Sequence, residues 1–467
     1  MKTYSIEFLE EVPKYVQIAK HMKKLIDVGK VKDGEKLPPI RKLADFLHVN
    51  NDTIVSAYKK LEQEGYAVQK IGSGTYAKKK DANRRIKREY TETFKKIMDK
   101  DSNEYIDFAG ETSCDIFFPM YNFKEVINEV IDRDGVNALV YQETLGFEGL
   151  RRSISKYFWQ GKVAPKDILI VTGAQQGIDI ASKAIINVND NVIVEKPTYN
   201  GALFVFKWRG ANVFEVPIED DGVNLEAFEK ILKKNYIRCF YTMSYFQNPT
   251  GMSYSREKKL EILRFAEKYD FYIIEDDYLS ELIFDENVSY ESFKSLDKND
   301  RVIYIKSFSK IFLPGIRLGY MIVPKKLKES IESSKVNTDI STSSLMQRAL
   351  DLYIIKGYFR EYIKKLKSIY KDRYMIMENY IKDILKDKVS FKSPGGGFNF
   401  YLKISDYVKI NSDELFYKCK NEKILISPGV LFYRNNDDGL RYFRIGYSQT
   451  DDFKIKNGIE KINKILE

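Results

Sequence analysis

Lys306 to Tyr320 reads KSFSKIFLPGIRLGY. The stretch follows the apolar run Val302–Tyr304, which has the composition of a buried strand. Lys310 offers an amine able to form a Schiff base with a carbonyl compound. Ser307 and Ser309 offer hydroxyls, and Arg317 offers a planar, fork-shaped cation suited to a phosphate. A lysine in a serine-rich turn says little alone. With two serines before it and Pro314-Gly315-Ile316-Arg317 after it, the stretch specifies a nucleophilic amine beside an anion cradle.

Outward from this stretch, short apolar runs alternate with helical patterns: 167–172, 191–195, 211–216, 239–243, 271–275, 302–306 and 318–323. That alternation predicts an α/β domain around a mainly parallel sheet. In such sheets ligands sit beyond the strand C-termini. Four further motifs fall there. YIIEDDYLSEL places Asp276, Asp277 and Tyr278 at one strand end, with Asp277 read as a helix-capping acid. FQNPTG follows another strand with Asn248. VTGAQQGID runs from strand to helix, so the backbone N–H groups of Ala174 and Gln175 face outward at a helix N-terminus, where an anion is favoured. EKPTYNG carries Tyr199.

These motifs resemble those of the class I/II aminotransferases, a family that binds pyridoxal 5′-phosphate. The resemblance implies the α/β fold of the type I pyridoxal-phosphate-dependent transferases and a role for each residue. Lys310 is the Schiff-base lysine and proton shuttle. Asp276 keeps the pyridine nitrogen protonated, which the cofactor's electron-sink chemistry requires. Tyr278 and Asn248 hold the phenolic oxygen, and Tyr199 stacks on the ring. Ser307, Ser309, Arg317 and the N–H groups of Ala174 and Gln175 hold the phosphate. YQETLGFEGLR places Tyr141 to reach the phosphate of a partner subunit, and YFRIGYS places Arg444 on the carboxylate of a substrate. IDFAGETSCDIFFP matches a substrate-side loop at Gly110, with Thr112-Ser113 replacing the family's usual Pro-Asp.

The first 77 residues are of another kind. Tyr15–Asp27, Arg41–Leu47 and Thr53–Glu64 have helical apolar spacing, and Val49-Asn50-Asn51-Asp52 reads as a turn able to cap the third helix. Residues 66–69 and 75–77 read as strands around Ile71-Gly72-Ser73-Gly74. Helix, helix, turn, helix and hairpin make a winged helix-turn-helix, whose third helix enters the DNA major groove. The segment LPPIRKLADFLHVNNDTIVSAYKKLEQEGYAVQKIGSGTYA resembles the GntR family. By that resemblance Arg41, Asn50, Asn51, Thr53 and Gly72 contact DNA, with Asn51 standing where the family often has an arginine. Residues 78–104 are polar and highly charged and read as a linker.

The charge distribution supports a polyanion partner. Residues 1–100 hold 23 Lys and Arg against 14 Asp and Glu, and the remainder holds 54 against 53. Nearly all of the net charge of +10 is therefore N-terminal. Three scattered cysteines fit a reducing cytoplasm better than a disulfide framework. No apolar stretch is long enough to span a bilayer, and two histidines make no metal site.

Over its length the chain resembles the MocR subgroup of GntR regulators. The subgroup implies a head-to-tail homodimer, promoter DNA as partner, and control of vitamin B6 or amino-acid metabolism by pyridoxal phosphate or by an amino compound forming an aldimine with it. A second reading from the same residues is a working aminotransferase with an accessory DNA module. A third, a large domain serving only for dimerisation, leaves so many converging polar residues without a purpose.

Overall fold

The computed structural model describes residues 2–27, 30–32, 34–70, 73–78, 89–95, 105–141, 143–285 and 290–467. The chain forms two compact units, Met1–Lys96 and Ile97–Glu467.

In the first unit, helices α1 (Lys14–Asp27), α2 (Ile40–Leu47) and α3 (Asn51–Gln63) precede strands β1 (Ala67–Lys70) and β2 (Gly74–Ala77). The apolar stripes close on one core: Ile18, Ala19, Met22 and Ile26 of α1 meet Leu43, Ala44 and Leu47 of α2 and Ile54, Ala57, Tyr58 and Leu61 of α3. The Tyr58 hydroxyl donates to the Pro38 carbonyl at 2.6 Å. His48 ends α2 in the left-handed conformation, which makes the tight turn into α3. The turn is shorter than expected, because Asn51 and Asp52 already belong to α3. Asn50 occupies the cap position through its carbonyl, which accepts the Thr53 N–H at 3.0 Å, and its side chain makes no capping bond. The hairpin pairs Ala67 with Ala77 and Lys70 with Gly74. Arg41, Asn50 and Asn51 are exposed and Thr53 is half-buried. Gly72 lies outside the described residues.

Of the expected linker, residues 79–88 and 96–104 lie outside the described residues. Residues 89–95, inside the segment read as a linker, are helical. Their apolar spacing is short but real, since the rings of Tyr90 and Phe94, one turn apart, stack at 6.1 Å.

Among its described residues, the second unit opens with β3 (Ile106–Asp107) and contains an eight-stranded sheet. The sheet strands are β4 (Ile168–Val171), β5 (Asn191–Lys196), β6 (Asn212–Glu219), β7 (Gly222–Val223), β8 (Cys239–Thr242), β9 (Tyr272–Asp277), β10 (Val302–Ser307) and β11 (Gly319–Ile322). Their spatial order is β4-β11-β10-β9-β8-β5-β6-β7. The pairs β10–β9, β9–β8, β8–β5 and β5–β6 are parallel, and β11 runs antiparallel to both neighbours. The central strands β8 and β10 are buried on both faces, as a parallel sheet covered by helices requires. A smaller antiparallel sheet takes the order β12-β13-β16-β15, from Val389–Ser390, Asn399–Ile404, Tyr442–Gly446 and Ser427–Pro428. The remaining strand, β14 (Ile424–Leu425), pairs parallel with β3. No described helix is long and apolar enough to cross a membrane.

Candidate cofactor and ligand site

The ends of β9 and β10 lie side by side, with Ile305 registered to Asp276 and Lys306 to Asp277. Strand alternation sends the two aspartates to opposite faces. Asp277 goes to a structural network. It pairs with the buried Lys306 at 3.0 Å, accepts the Tyr304 hydroxyl at 2.8 Å, and caps the next turn by accepting the Ser280 N–H at 3.2 Å. Lys306 also meets Glu281 at 2.7 Å, so it is consumed and Lys310 is the lysine of this stretch left for chemistry.

Asp276 is buried, and the Tyr241 hydroxyl donates to its Oδ2 at 2.9 Å. Its Oδ1 is buried with no hydrogen-bond partner. Burial pushes the carboxyl up to about 7, only partly offset by Tyr241. A lone buried carboxylate oxygen at a strand end is the arrangement that a protonated ring nitrogen would complete.

The candidate anion cradle is assembled from two connections, the one between β10 and β11 and the one that follows β4. Arg317 has a left-handed backbone (φ 50°), and its guanidinium donates to Ser309 Oγ at 3.4 Å. Ser307 Oγ accepts the Ser309 N–H at 3.2 Å. The helix Ala174–Ile185 starts at Gly173, which has φ 124° and supplies no side-chain cap, leaving the first-turn N–H groups of Ala174 and Gln175 to an external acceptor. A Cβ on Gly173 would lie 3.3 Å from Arg317 Nη2 and 3.6 Å from Ser309 Oγ, inside the cradle. The Tyr199 hydroxyl donates to Gln175 Oε1 at 3.3 Å, and burial raises its phenol well above the ordinary value.

On the ligand side, Lys310 Nζ stands 3.5 Å from Glu111 Oε2. Glu111 Oε1 accepts from Arg444 Nη1, from Asn248 Nδ2 at 2.8 Å and from Asn399 Nδ2 at 3.3 Å. Arg444 also donates to Asn248 Oδ1 at 2.8 Å, to Ser427 Oγ at 3.0 Å and to the Ala109 carbonyl at 3.1 Å. Burial works to raise the Glu111 carboxyl, but the Arg444 guanidinium and the Lys310 ammonium beside it hold it below the ordinary value.

Glu111 was not among the residues expected from sequence. Gly110, which was, spends its N–H on Asp107 at 3.0 Å and its carbonyl on Ser448 at 2.9 Å. Tyr278 donates its hydroxyl proton to the Phe246 carbonyl at 2.7 Å. Lys310, Asn248 and Arg444 therefore meet around Glu111, while Ser307, Ser309, Arg317 and Gly173 form the neighbouring cradle. Tyr141 has 76 % of its surface exposed.

Two more buried groups act as supports. Glu195, at the end of β5, accepts from Thr242 Oγ1 at 2.6 Å, Tyr254 Oη at 2.8 Å and Gln247 Nε2 at 2.9 Å. It thereby ties two strand ends to the turn that carries Asn248, and burial pushes its carboxyl up to about 7. Tyr241, as above, orients Asp276. Among the described residues no cluster of His, Cys, Asp and Glu is placed to hold a metal ion.

Residues 114–462 match the aminotransferase class I and II family, and residues 14–77 match the bacterial regulatory proteins of the gntR family. The chain is 28% identical, over 98% of its length and 97% of the relative's, to YdfD of Bacillus subtilis, an uncharacterized HTH-type transcriptional regulator. A kynurenine aminotransferase of Pyrococcus horikoshii, solved with PMP, superposes on 81% of this chain and 94% of its own with a TM-score of 0.75 at 29% identity. LysN, an α-aminoadipate aminotransferase of Thermus thermophilus solved with N-(5′-phosphopyridoxyl)-L-leucine, covers 80% of this chain and 94% of its own with a TM-score of 0.74 at 26% identity. The chain belongs to the aminotransferase class I and II family, and it carries a gntR-type helix-turn-helix domain ahead of that fold.

Proposed function

We propose that the protein is a transcription regulator that binds double-stranded promoter DNA through residues 1–77 and holds pyridoxal 5′-phosphate in residues 105–467, with 78–104 between them. The observation that carries this reading is the unpartnered Oδ1 of Asp276 at the end of β9, in the same unit as Lys310 and the Ser309–Arg317 cradle, in a chain with a winged helix-turn-helix. Once bound, the cofactor supplies an electrophilic carbon for amines and an electron sink.

This chain's residues do the rest. Lys310 attaches the cofactor through Nζ. Asp276 holds the ring-nitrogen proton, and Tyr199 covers the ring. Ser307, Ser309, Arg317 and the N–H groups of Ala174 and Gln175 bind the phosphate. Tyr278 and Asn248 turn to the phenolic oxygen. In a head-to-tail homodimer, Tyr141 of one protomer reaches the phosphate held by the other. Arg41, Asn50, Asn51, Thr53 and Gly72 contact DNA in the cytoplasm. Ligand binding shifts the equilibrium between arrangements of the two domains by favouring one of them. The regulated genes belong to vitamin B6 or amino-acid metabolism. A transaminating enzyme needs Arg444 for its substrate, so the glutamate seated on that arginine favours the regulator over the enzyme.

The test is chemical. The cofactor-loaded protein is reduced with borohydride, digested and mapped, and DNA flanking its gene is footprinted with and without the cofactor. The reading expects the label on Lys310, its loss in Lys310→Ala, and a cofactor-dependent footprint. A label on another lysine refutes the site, and absence of any footprint refutes the regulator.

A further inference from the structure

Arg444 already has a carboxylate. Glu111 places one oxygen against Arg444, Asn248 and Asn399 and the other 3.5 Å from Lys310, and only 13 % of its side chain is exposed. Arginine, two amides and an ammonium around one carboxylate are the donors with which a protein binds a carboxylate ligand. Here the carboxylate comes from the chain itself.

The loop is pinned in that position from both ends. Gly110 accepts from Ser448 Oγ at 2.9 Å. Thr112 accepts from Gln449 Nε2 at 2.6 Å through its carbonyl and at 3.1 Å through its hydroxyl. The Ser113 N–H donates to the carbonyl of Lys310 at 2.8 Å, which fastens the loop to the reactive lysine's own turn. Glu111 is therefore delivered to Arg444 by its neighbours on both sides.

We propose that Glu111 is an internal carboxylate that closes Arg444 and makes the site select primary amines lacking a carboxylate in reach of that arginine, in preference to α-amino acids. The proposal rests on the cofactor site described above and names its ligand class. An α-amino acid entering the site meets a neutralised arginine and a like charge beside it, and both disfavour its carboxylate. A simple amine meets neither obstacle.

Two measurements on the full-length protein test this. The first needs no cofactor. Glu111→Ala opens a cavity against an unpaired arginine, so acetate raises the variant's Tm saturably and leaves the wild-type Tm unmoved. An acetate effect equal in both proteins, or absent from both, overturns the proposal. The second uses the cofactor-loaded protein and Glu111→Gln, which keeps the shape and removes the charge. Ethylamine and L-alanine differ only by the α-carboxylate, and each is titrated against the cofactor's absorbance. Comparing their ratio between wild type and variant cancels their different basicities. The ratio is expected to shift at least tenfold toward L-alanine in Glu111→Gln, and an unchanged ratio overturns the proposal even where the alanine variant fails to fold. If no cofactor absorbance forms at all, the cofactor reading fails, while the acetate measurement still judges Glu111 alone.

Discussion

Replacing Asp276 by asparagine separates two consequences of one buried charge. In the cofactor-free protein, moving this carboxyl from its ordinary 3.8 up to about 7 disfavours the ionised form by on the order of 4 kcal/mol. Folded protein thus keeps a proton at Asp276 over a pH range in which the unfolded chain has released it. Stability from this group is greatest below about pH 4, falls as pH rises toward about 7, and then levels off. Asparagine has the same shape, still accepts from Tyr241, and does not titrate. Asp276→Asn should therefore gain stability relative to wild type as pH rises, by about 4 kcal/mol between about pH 4 and pH 8. Glu195 titrates in the same range in both proteins and cancels from the difference. With the cofactor the order reverses. The variant cannot hold a ring-nitrogen proton by charge, and the loss of one charge-assisted hydrogen bond, roughly 1.5–3 kcal/mol, weakens cofactor binding by about 10- to 100-fold. Urea unfolding of cofactor-free protein across pH, with absorbance titration of the cofactor, measures both. A stability difference that does not vary with pH would refute the reasoning, because Asp276 would then be ionised equally in both states.

The anion cradle makes a simpler prediction. Gly173→Ala places a Cβ 3.3 Å from Arg317 Nη2 on a backbone with φ 124°. It should cost about 1–3 kcal/mol in strain and weaken cofactor binding at least tenfold, measured by the same titration. In the other unit, the exposed Arg41→Ala should weaken operator binding about tenfold, lower the slope of log affinity against log salt by about 1, and leave the cofactor spectrum unchanged.

The sheet was legible because each strand is a short apolar run bounded by turn residues, and a strand buried on both faces has few other compositions open to it. The neighbourhood of Ser307, Ser309 and Arg317 was legible because the three lie within one turn region, where the structure joins them by hydrogen bonds. Glu111 was not legible, since its meaning depends on an arginine 333 residues away in the chain. Glu195 did leave a signal: an acid at the end of the run Val-Ile-Val must be protonated or fully hydrogen-bonded once the strand is buried. The same holds for Glu275, which accepts from Ser244 Oγ at 2.5 Å and from the N–H groups of Phe293 and Lys294 at 2.9 Å.

The site's carboxylates differ in what each still lacks. Asp276 has a buried oxygen without a partner and a carboxyl raised to about 7, so a cation arriving there removes a standing penalty. Glu111 has its cations already, and its carboxyl is lowered by them. The ring nitrogen of a cofactor thus gains at Asp276, whereas a carboxylate-bearing ligand must first displace Glu111 from Arg444. Environments that push two acids apart in this way assign them different tasks. On the function proposed above, one acid favours cofactor binding and the other withholds the arginine that an amino-acid substrate would need. That combination suits the regulator proposed above, which would report on a small molecule without consuming it.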